Sequence, residues 1–285
     1  MKKTFVLMVA VFALSMVFNS CEKDGRYAPN KKISKIVFTR SHKAGDLVVS
    51  STQSEKWAWS GDLLSYIEYY NSDGDRTGTL WFRYDDDKRI KEAEDGRYDV
   101  KYDYDDGRLD EIEICYASSE RMYQKMEFDY KGGKLASIDI TTYNKNEGAP
   151  MSFNPLRFIL SDDVAEVVMS RPATKGVEHL MLTWSGKNIT EMASTSSDNY
   201  HVKWTYDDKI NPFKGFLNME LDIDQTHSAN NVIREEISKN GTVRVVDYNY
   251  EYNGKYPTKV KYKTESNTLI PGYTLTVDNV KEYQY

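Results

Sequence analysis

Adjacent carboxylates are the first side chains of this sequence to consider for catalysis. Hydrolysis of a glycosidic bond needs two carboxyl groups that face one cleft at a defined separation, one of them with a pKa raised by burial. In this chain adjacent aspartates occur at 85–87, 105–106, 162–163 and 207–208. Aspartate is common in turns because its side chain hydrogen-bonds to nearby backbone, and there it is normally solvated. We therefore expect turns here, no enzymatic activity and no cofactor.

Possible metal ligands form the second group. Asn71, Asp73 and Asp75 have the spacing of the first three ligands of a calcium-binding loop. An EF-hand also requires glycine at its sixth position and glutamate at its twelfth, whereas this chain has Arg76 and Phe82 there. A hairpin turn explains the segment better. The histidines, His42, His179, His201 and His227, have no second histidine or cysteine at ligand spacing, so we predict no metal site.

Nucleophilic side chains give no further catalytic pattern. The sequence has no G-x-S-x-G motif, and no glycine-rich phosphate-binding loop precedes a helix. Cys115 lies in the strand-like run EIEICYASS and is predicted to be a small buried hydrophobic residue. A hydrolase of envelope polymer is therefore the least favoured function.

Tryptophan side chains are candidates for ligand binding, because aromatic faces pack well on the apolar faces of sugar rings. Trp204 has the parity of a core position, whereas Trp81 has the opposite parity to Leu80 and Phe82 and is predicted to point from a polar strand face. The alternative is that tryptophan occurs here because it fits the core or rim of a sheet. We expect Trp81 to be the contact for a glycan or protein ligand.

The N-terminus resembles a lipoprotein signal peptide. Lys2 and Lys3 precede an apolar run from Phe5 to Phe18, which is too short for a stable membrane span, and Ser20 precedes Cys21. We predict a signal peptide over residues 1–20 and acylation, for example by palmitate, of Cys21. An ordinary secretory signal is the alternative, but no convincing small-x-small cleavage site precedes Cys21. Several acyl chains would anchor the protein stably to a membrane.

Composition excludes several classes of protein. The net charge of −6 is spread along the chain without a basic stretch, which argues against nucleic acid as a partner. If Cys21 is acylated, Cys115 has no disulfide partner. After residue 20 no segment is apolar for even ten residues, so no membrane-spanning helix is expected.

A degenerate repeat organises most of the chain. An aromatic residue, which we call the anchor, precedes turn residues such as Asp-Asp-Gly or Lys-Gly-Gly and then a second strand-like run. Neighbouring anchors lie about 20 to 26 residues apart, and the two wider gaps, 130–184 and 206–252, suggest eroded copies. The anchors are Trp59, Tyr84, Tyr104, Tyr130, Trp184, Tyr206 and Tyr252.

The strands within these copies alternate between apolar and polar residues. Val100 and Tyr102 share one parity, and Asp99, Lys101 and Asp103 share the other. A period of two means one buried and one solvated face, which is typical of antiparallel sheet. The sequence therefore predicts an all-β fold of repeated hairpins, curled or barrel-like because a long meander with one apolar face cannot remain flat.

One segment lacks this alternation of apolar and polar residues and divides the domain. Apolar residues from 156 to 168 have helical spacing after a possible N-cap at Asn154, which predicts a helix over 152–169 that packs on or plugs the sheet. Alternatively, LSDDVAEVVMS from Leu160 is a missing repeat copy. The predicted organisation is a signal peptide (1–20), a flexible tether (21–34) and a β domain (35–285), with N-terminal hairpins 35–145, a helical insertion 146–180 and C-terminal hairpins 181–285.

Two resemblances follow from these motifs. YDDGRL from Tyr104 resembles the YD repeats of RHS-type toxin shells. Asn211-Pro212-Phe213, Asn230-Asn231-Val232 and YEYNGKYPTKV from Tyr250 resemble a family of Bacteroides lipoproteins of unknown function with a porin-like fold. This second resemblance covers about residues 35 to 285. It implies a β-barrel-like domain on the cell envelope and assigns no activity.

The function expected from the sequence is therefore binding. We expect a lipid-anchored, non-enzymatic protein of the outer membrane, facing the cell surface and contacting a glycan or surface protein through Trp81. A structural scaffold or assembly partner in the periplasm is the alternative. A pore is disfavoured because charged residues, 29% of the chain, occupy whole strand faces.

Overall fold

The computed structural model describes residues 25–44, 47–143, 177–195, 200–217, 223–239, 241–267 and 274–285. These residues form strands and one five-residue helix, and no helix among them is long and apolar enough to cross a membrane. The predicted helix at 152–169 lies outside the described residues. The elements are β1 (Lys35–Ala44), β2 (Leu47–Ser60), β3 (Leu63–Tyr70), β4 (Arg76–Tyr84), β5 (Ile90–Glu94), β6 (Tyr98–Asp105), β7 (Arg108–Tyr116), β8 (Met122–Lys131), β9 (Lys134–Thr142), β10 (Val177–Ser185), β11 (Asn188–Ser194), β12 (Tyr200–Tyr206), α1 (Ile223–His227), β13 (Val232–Lys239), β14 (Thr242–Asp247), β15 (Asn249–Asn253), β16 (Tyr256–Asn267) and β17 (Thr274–Gln284).

The strands form one antiparallel meander that is nearly closed into a barrel. Each strand except β14 pairs with the next along the chain, and β17 pairs back with β1. At Tyr248 one long strand is interrupted, so that β14 pairs with β13 and β15 pairs with β16. The predicted all-β, barrel-like fold is confirmed.

Each anchor stands at the end of a strand, where the ladder carries a one-residue irregularity. Tyr104, for example, pairs with Leu109 whereas Asp103 pairs with Glu111, so the outgoing strand contains one extra residue. Such bulges bend and twist the strands, which helps a sheet to close. The same register shift occurs at all seven anchors, Trp59, Tyr84, Tyr104, Tyr130, Trp184, Tyr206 and Tyr252.

The anchors also bond neighbouring repeats to one another. The Tyr104 hydroxyl donates to the backbone carbonyl of Ile90 (2.7 Å), and Ile90 is the residue paired with the preceding anchor, Tyr84. In the same way Tyr84 donates to the carbonyl of Leu64 (2.8 Å), and the indole N–H of Trp184 donates to that of Leu135 (2.7 Å). The aromatic residue is thus a cross-repeat hydrogen-bond donor as well as a core side chain.

A basic residue completes this contact in several copies. The guanidinium of Arg89 lies 4.4 Å from the ring centroid of Tyr104, and that of Arg108 lies 5.4 Å from that of Tyr130. Each of these basic residues stands immediately before an aliphatic residue in its own repeat, and its side chain lies against the anchor of the next repeat. The Arg-Leu portion of YDDGRL is therefore explained by cation–π stacking and packing between repeats.

The two strand faces differ sharply in polarity. Val100 and Tyr102 are buried inside the barrel, and the charged residues between them point outward. On the outer face Lys125 pairs with Glu111 (2.7 Å) on the neighbouring strand, one of many such cross-strand ion pairs. The apolar face is thus the barrel interior and the charged face is its exterior.

Two irregular segments fill the interior. Tyr27 is fully buried, donates its hydroxyl to the carbonyl of Pro212 (2.9 Å) and stacks on Phe216 at 4.5 Å between ring centroids. Tyr102 donates to the carbonyl of Leu217 (3.1 Å). The predicted tether 21–34 is therefore corrected for its described residues 25–34, because Tyr27 and Ile33 among them are buried in the core.

The loop between β12 and β13 also corrects the reading of the gap 206–252. Tyr206 pairs with Val232, so the turn of this copy is lengthened into a connection that we call the 207–231 loop, and its described residues Phe213 and Phe216 enter the barrel. The extra length is an insertion within one hairpin and does not require an eroded copy.

Candidate functional site

Trp81 lies on the outer face of β4, where its side chain is 52% exposed. It is paired across the sheet with Tyr66 on β3 and with Glu94 on β5. The Trp81 and Tyr66 rings are 4.7 Å apart between centroids, at an interplanar angle of 48°. The predicted outward orientation of Trp81 is thus observed, and its partner Tyr66 was not predicted.

Charged residues flank this aromatic pair. Arg83, two residues beyond Trp81, bridges Glu92 and Glu94, with N–O distances of 2.9 Å to each. An exposed aromatic ring with hydrogen-bonding groups at its edge can stack on a flat apolar ligand face and orient polar groups of the ligand.

The other tryptophans serve the interior. Trp57 and Trp204 are buried, and Trp204 donates its indole N–H to the buried Glu235 (2.9 Å). Trp59 and Trp184 are anchors whose indole N–H groups bond to backbone carbonyls. Trp81 is therefore the one tryptophan whose ring is largely exposed, and all five lie within the described residues.

The asparagine motif at 211–213 is structural. The Asn211 amide donates to the carbonyls of Gln225 (2.5 Å) and Ser228 (2.8 Å), and its oxygen accepts the N–H of Phe213 (2.9 Å). These bonds fold the loop so that Phe213 and Phe216 enter the core.

The motif at 230–232 fixes the other end of the same loop. Asp207 accepts the backbone N–H groups of Lys209 (3.0 Å) and Asn231 (3.1 Å), and the Tyr252 hydroxyl donates to its carboxylate. Burial and the adjacent Asp207 raise the pKa of Tyr252. Asn230 bonds to Asn188 and to the carbonyl of Lys209. The carboxylate of Asp207 thus holds the loop in place.

The calcium-like segment forms the predicted hairpin turn. The side-chain oxygen of Asn71 accepts the N–H groups of Asp73 (3.0 Å) and Asp75 (2.8 Å) between β3 and β4. His179 contacts Asp139, and His201 contacts Glu191 (3.3 Å), each across neighbouring strands. Within the described ranges no group of three or more His, Cys, Asp or Glu side chains is arranged to hold a metal ion.

Cys115 departs from its predicted position, and Cys21 lies outside the described residues. Cys115 has the outward parity of Glu113 on β7 and is half-buried. Burial, together with the Glu113 charge, raises the pKa of its thiol. The prediction of a buried core cysteine was wrong because the alternation of EIEIC gives Cys115 the parity of Glu113, opposite to the buried Ile112 and Ile114.

A small cavity inside the barrel was not predicted. It has a volume of about 40 Å³ and is lined by Glu235, Tyr250, Lys281 and parts of the 207–231 loop. Ligand pockets usually measure roughly 300–1,000 Å³, and a water needs roughly 10–15 Å³, so this cavity suits a few waters. A glutamate at an inward strand position, between apolar neighbours, was the sequence signal for it.

Comparison with known proteins identifies the fold. No family model and no curated protein matches the chain. A crystal structure of a porin-like protein from Bacteroides uniformis ATCC 8492 matches over 92% of this chain and 99% of that one, with 11% identity and a TM-score of 0.54. A porin-like protein from Bacteroides vulgatus ATCC 8482 matches over 89% and 98%, with 10% identity and a TM-score of 0.28. A TcdB2-TccC3-Cdc42 structure matches over 85% and 16%, with 12% identity and a TM-score of 0.27.

The likeness to the Bacteroides uniformis protein carries the conclusion, because the other two TM-scores are too low to support one. It confirms the fold part of the resemblance seen in the sequence. The resemblance to RHS repeats and the lipoprotein assignment stay predictions. The chain has the fold of a porin-like β-barrel.

Proposed function

We propose that this chain is a lipid-anchored, non-enzymatic protein of the outer membrane surface that binds a glycan or protein ligand through Trp81 and Tyr66. The observation that carries the proposal is the exposed, paired aromatic surface flanked by the ion-paired Arg83, Glu92 and Glu94. A ligand that covers the Trp81 ring would gain the free energy of burying apolar area that is now in contact with water.

The polarity of the barrel supports an anchored protein over a pore. Lipid-facing strands need an apolar band on the outer face with aromatic girdles. Here the outer face carries cross-strand ion pairs, such as those of Arg83 and Lys125, and the interior is packed. The proposed attachment to the membrane is therefore the acylated Cys21.

The test of binding uses Trp81→Ala and the full mature chain. Immobilised polysaccharides and mucin glycans are screened with the wild type, and any ligand found is titrated by calorimetry. We expect Trp81→Ala to weaken binding by about twofold to tenfold, since aromatic stacking is worth about 0.5–1.5 kcal/mol. Met181→Ala is the control, because Met181 is also exposed on the outer face but lies on β10.

Three outcomes would contradict this role. Binding that is unchanged by Trp81→Ala would move the ligand site elsewhere. A fall in melting temperature by many degrees would make Trp81 a packing residue of the β3–β4 surface. A chain that binds none of the glycans but cross-links to one stoichiometric partner would favour the scaffold alternative.

Location is tested separately by protease shaving of intact cells that express the wild type or Cys21→Ala. We expect digestion of the wild type on intact cells and release of Cys21→Ala from the membrane fraction. Protection until lysis would contradict surface exposure and favour an assembly partner in the periplasm.

A further inference from the structure

The barrel has one seam where two strand edges are not paired with each other. β14 pairs with β13 along one edge, and β16 pairs with β15 only as far as Lys261. Within the described residues, no strand pairing occurs for Val243, Val245 or Asp247 on the second side of β14, or for Lys263 on the facing side of β16. We call the space between these two edges the slot. Its base is closed by the Tyr248 and Tyr262 rings, 4.9 Å apart between centroids.

The backbone of β14 points hydrogen-bonding groups into the slot. Tyr248 donates its N–H to the carbonyl of Ile233 (2.9 Å), in register with the β13–β14 ladder. Because such bonds alternate along an antiparallel strand, Arg244 and Val246 also bond to β13. The N–H and C=O groups of Val243, Val245 and Asp247 therefore face the slot.

The side chains of β14 do not protect this edge. Val243 and Val245 are 61% and 40% exposed on the outer face, and Arg244 points inward beside them. Proteins usually protect a free edge with lysine, proline or a bulge. The facing β16 edge carries Lys263 in this way, whereas the β14 edge presents two flat, β-branched residues that favour strand pairing.

We propose that the β14 edge binds an extended peptide segment of a partner protein by strand addition, with apolar partner side chains outward and an acidic one inward. The partner backbone would pair with Val243, Val245 and Asp247, its apolar side chains would cover the two valines, and its acidic side chain would face Arg244. This interface is separate from the Trp81 surface and does not rest on the function proposed there.

A second copy of the chain fits the slot less well. In the antiparallel register that places Val245 opposite its counterpart, Val243 would lie opposite the second copy's Asp247. An apolar residue would then face a carboxylate twice in each dimer, which is unfavourable for a cross-strand pair. A partner strand with alternating chemistry avoids this mismatch.

The probe is a fluorescein-labelled peptide, Lys-Val-Val-Glu-Val-Thr, which sets lysine opposite Asp247 and glutamate opposite Arg244 in antiparallel register. Fluorescence anisotropy with the full mature chain should show saturable binding. A peptide with lysine in place of glutamate should bind about tenfold more weakly, because it places two cations together.

Two variants test the edge without disturbing the β13 ladder. Val245→Pro removes an N–H that faces the slot, as proline is tolerated at such edge positions, and Val243→Lys places a charge on the apolar contact. Each should weaken peptide binding about tenfold, the equivalent of about 1.4 kcal/mol. Met181→Lys is the control, since β10 is paired on both sides, and should bind as the wild type does. Unchanged melting temperatures exclude misfolding.

Hydrogen exchange supplies the readout that is independent of the label. In the free protein the amides of Val243, Val245 and Asp247 should exchange faster than those of Arg244 and Val246, and the peptide should slow them. Absence of saturable binding, or binding unaffected by Val245→Pro, overturns the proposal. Slow exchange of these amides in the free protein at every protein concentration would also overturn it, because the slot would then be filled by the chain itself. Protection that rises with protein concentration would instead make the occupant a second copy and would equally overturn it.

Discussion

Each anchor aromatic makes two separable contributions at the residue scale. Its ring packs against the core, and its polar atom donates to a carbonyl in the neighbouring repeat, as Tyr84 does to Leu64 (2.8 Å). Phenylalanine would supply the first contact without the second. The hydroxyl therefore gives a physical reason for 22 tyrosines against 10 phenylalanines in this chain.

Replacement of Tyr84 by Phe isolates the hydrogen bond. Burial raises the pKa of Tyr84, so its hydroxyl is a neutral donor at ordinary pH. Loss of the bond to the Leu64 carbonyl should lower the free energy of unfolding by about 1 kcal/mol, measured by urea denaturation. Tyr143→Phe, at an exposed position, is the control and should change little. Equal stabilities of wild type and Tyr84→Phe would show that the ring alone matters.

Ionisation of two carboxylates should change the stability of the folded state in opposite directions. Burial raises the pKa of Glu55 above the ordinary 4.5, only partly offset by the Trp57 N–H and by Lys281. The folded state thus holds this proton more tightly than the unfolded chain, so stability falls as pH rises through the folded pKa. Hydrogen bonding to Lys43, with the charge of Lys263, lowers the pKa of Asp278. Its contribution is therefore present above the ordinary pKa and is lost as pH falls.

These signs give a paired test by thermal denaturation across pH. Glu55→Gln should be more stable than the wild type at neutral pH and equal to it in acid, where Glu55 is already protonated. Asp278→Asn should be less stable than the wild type at neutral pH and equal to it in strong acid. Parallel pH profiles for the wild type and Glu55→Gln would show that Glu55 does not titrate against folding.

At the scale of elements, alternation was enough to predict the hairpins but not their irregularities. The anchor, turn and outgoing strand follow from local residue types, and the structure has them in place. The bulge at Tyr104 and its bond to Ile90 depend on register and on a neighbouring repeat, which spacing within one copy does not encode. The interior loop was missed because Phe213 and Phe216 follow no strand or helix period.

The N-terminal segment was misjudged for a related reason. Tyr27 and Ile33 are isolated apolar residues in a polar stretch, a composition typical of a tether, yet both are fully buried. Their environment is supplied by parts of the chain far away in sequence, such as Pro212, whose carbonyl accepts the Tyr27 hydroxyl. The pattern of neighbouring residues in the sequence does not indicate contacts with residues so far away along the chain.

Replacement of Tyr27 by Ala distinguishes a core segment from a tether. The change removes the ring that stacks on Phe216 and packs near Trp57 and Trp59. It should lower the free energy of unfolding by about 3–5 kcal/mol, as for other buried aromatic residues. Urea denaturation of the full mature chain measures this. Tyr143→Ala, which removes an exposed ring, is the control. A change no larger than that of the control would restore the tether interpretation.

At the scale of the whole molecule, the position of Gly25 bears on how an anchored barrel would stand on its membrane. The N–H of Ile90 donates to the Gly25 carbonyl (3.0 Å), so the chain enters the barrel beside the β4–β5 turn. Four residues span at most about 14 Å, which keeps Cys21 close to that turn. If Cys21 is acylated as proposed, the barrel end formed by the turns after the anchors faces the membrane. The open part of the slot, near the β13–β14 turn, then points away from it.

This orientation predicts unequal access to the two ends. In a Cys115→Ser background, Asp86→Cys introduces a thiol in the β4–β5 turn and Asp73→Cys introduces one in the β3–β4 turn at the opposite end; both positions are exposed. On membranes carrying the anchored protein, a bulky polyethylene-glycol maleimide should label Asp73→Cys faster than Asp86→Cys. Release of the protein by Cys21→Ala should make the two rates similar, because the difference comes from the membrane. Similar rates on the anchored protein would mean that the barrel stands clear of the bilayer, and the slot would then have no preferred direction.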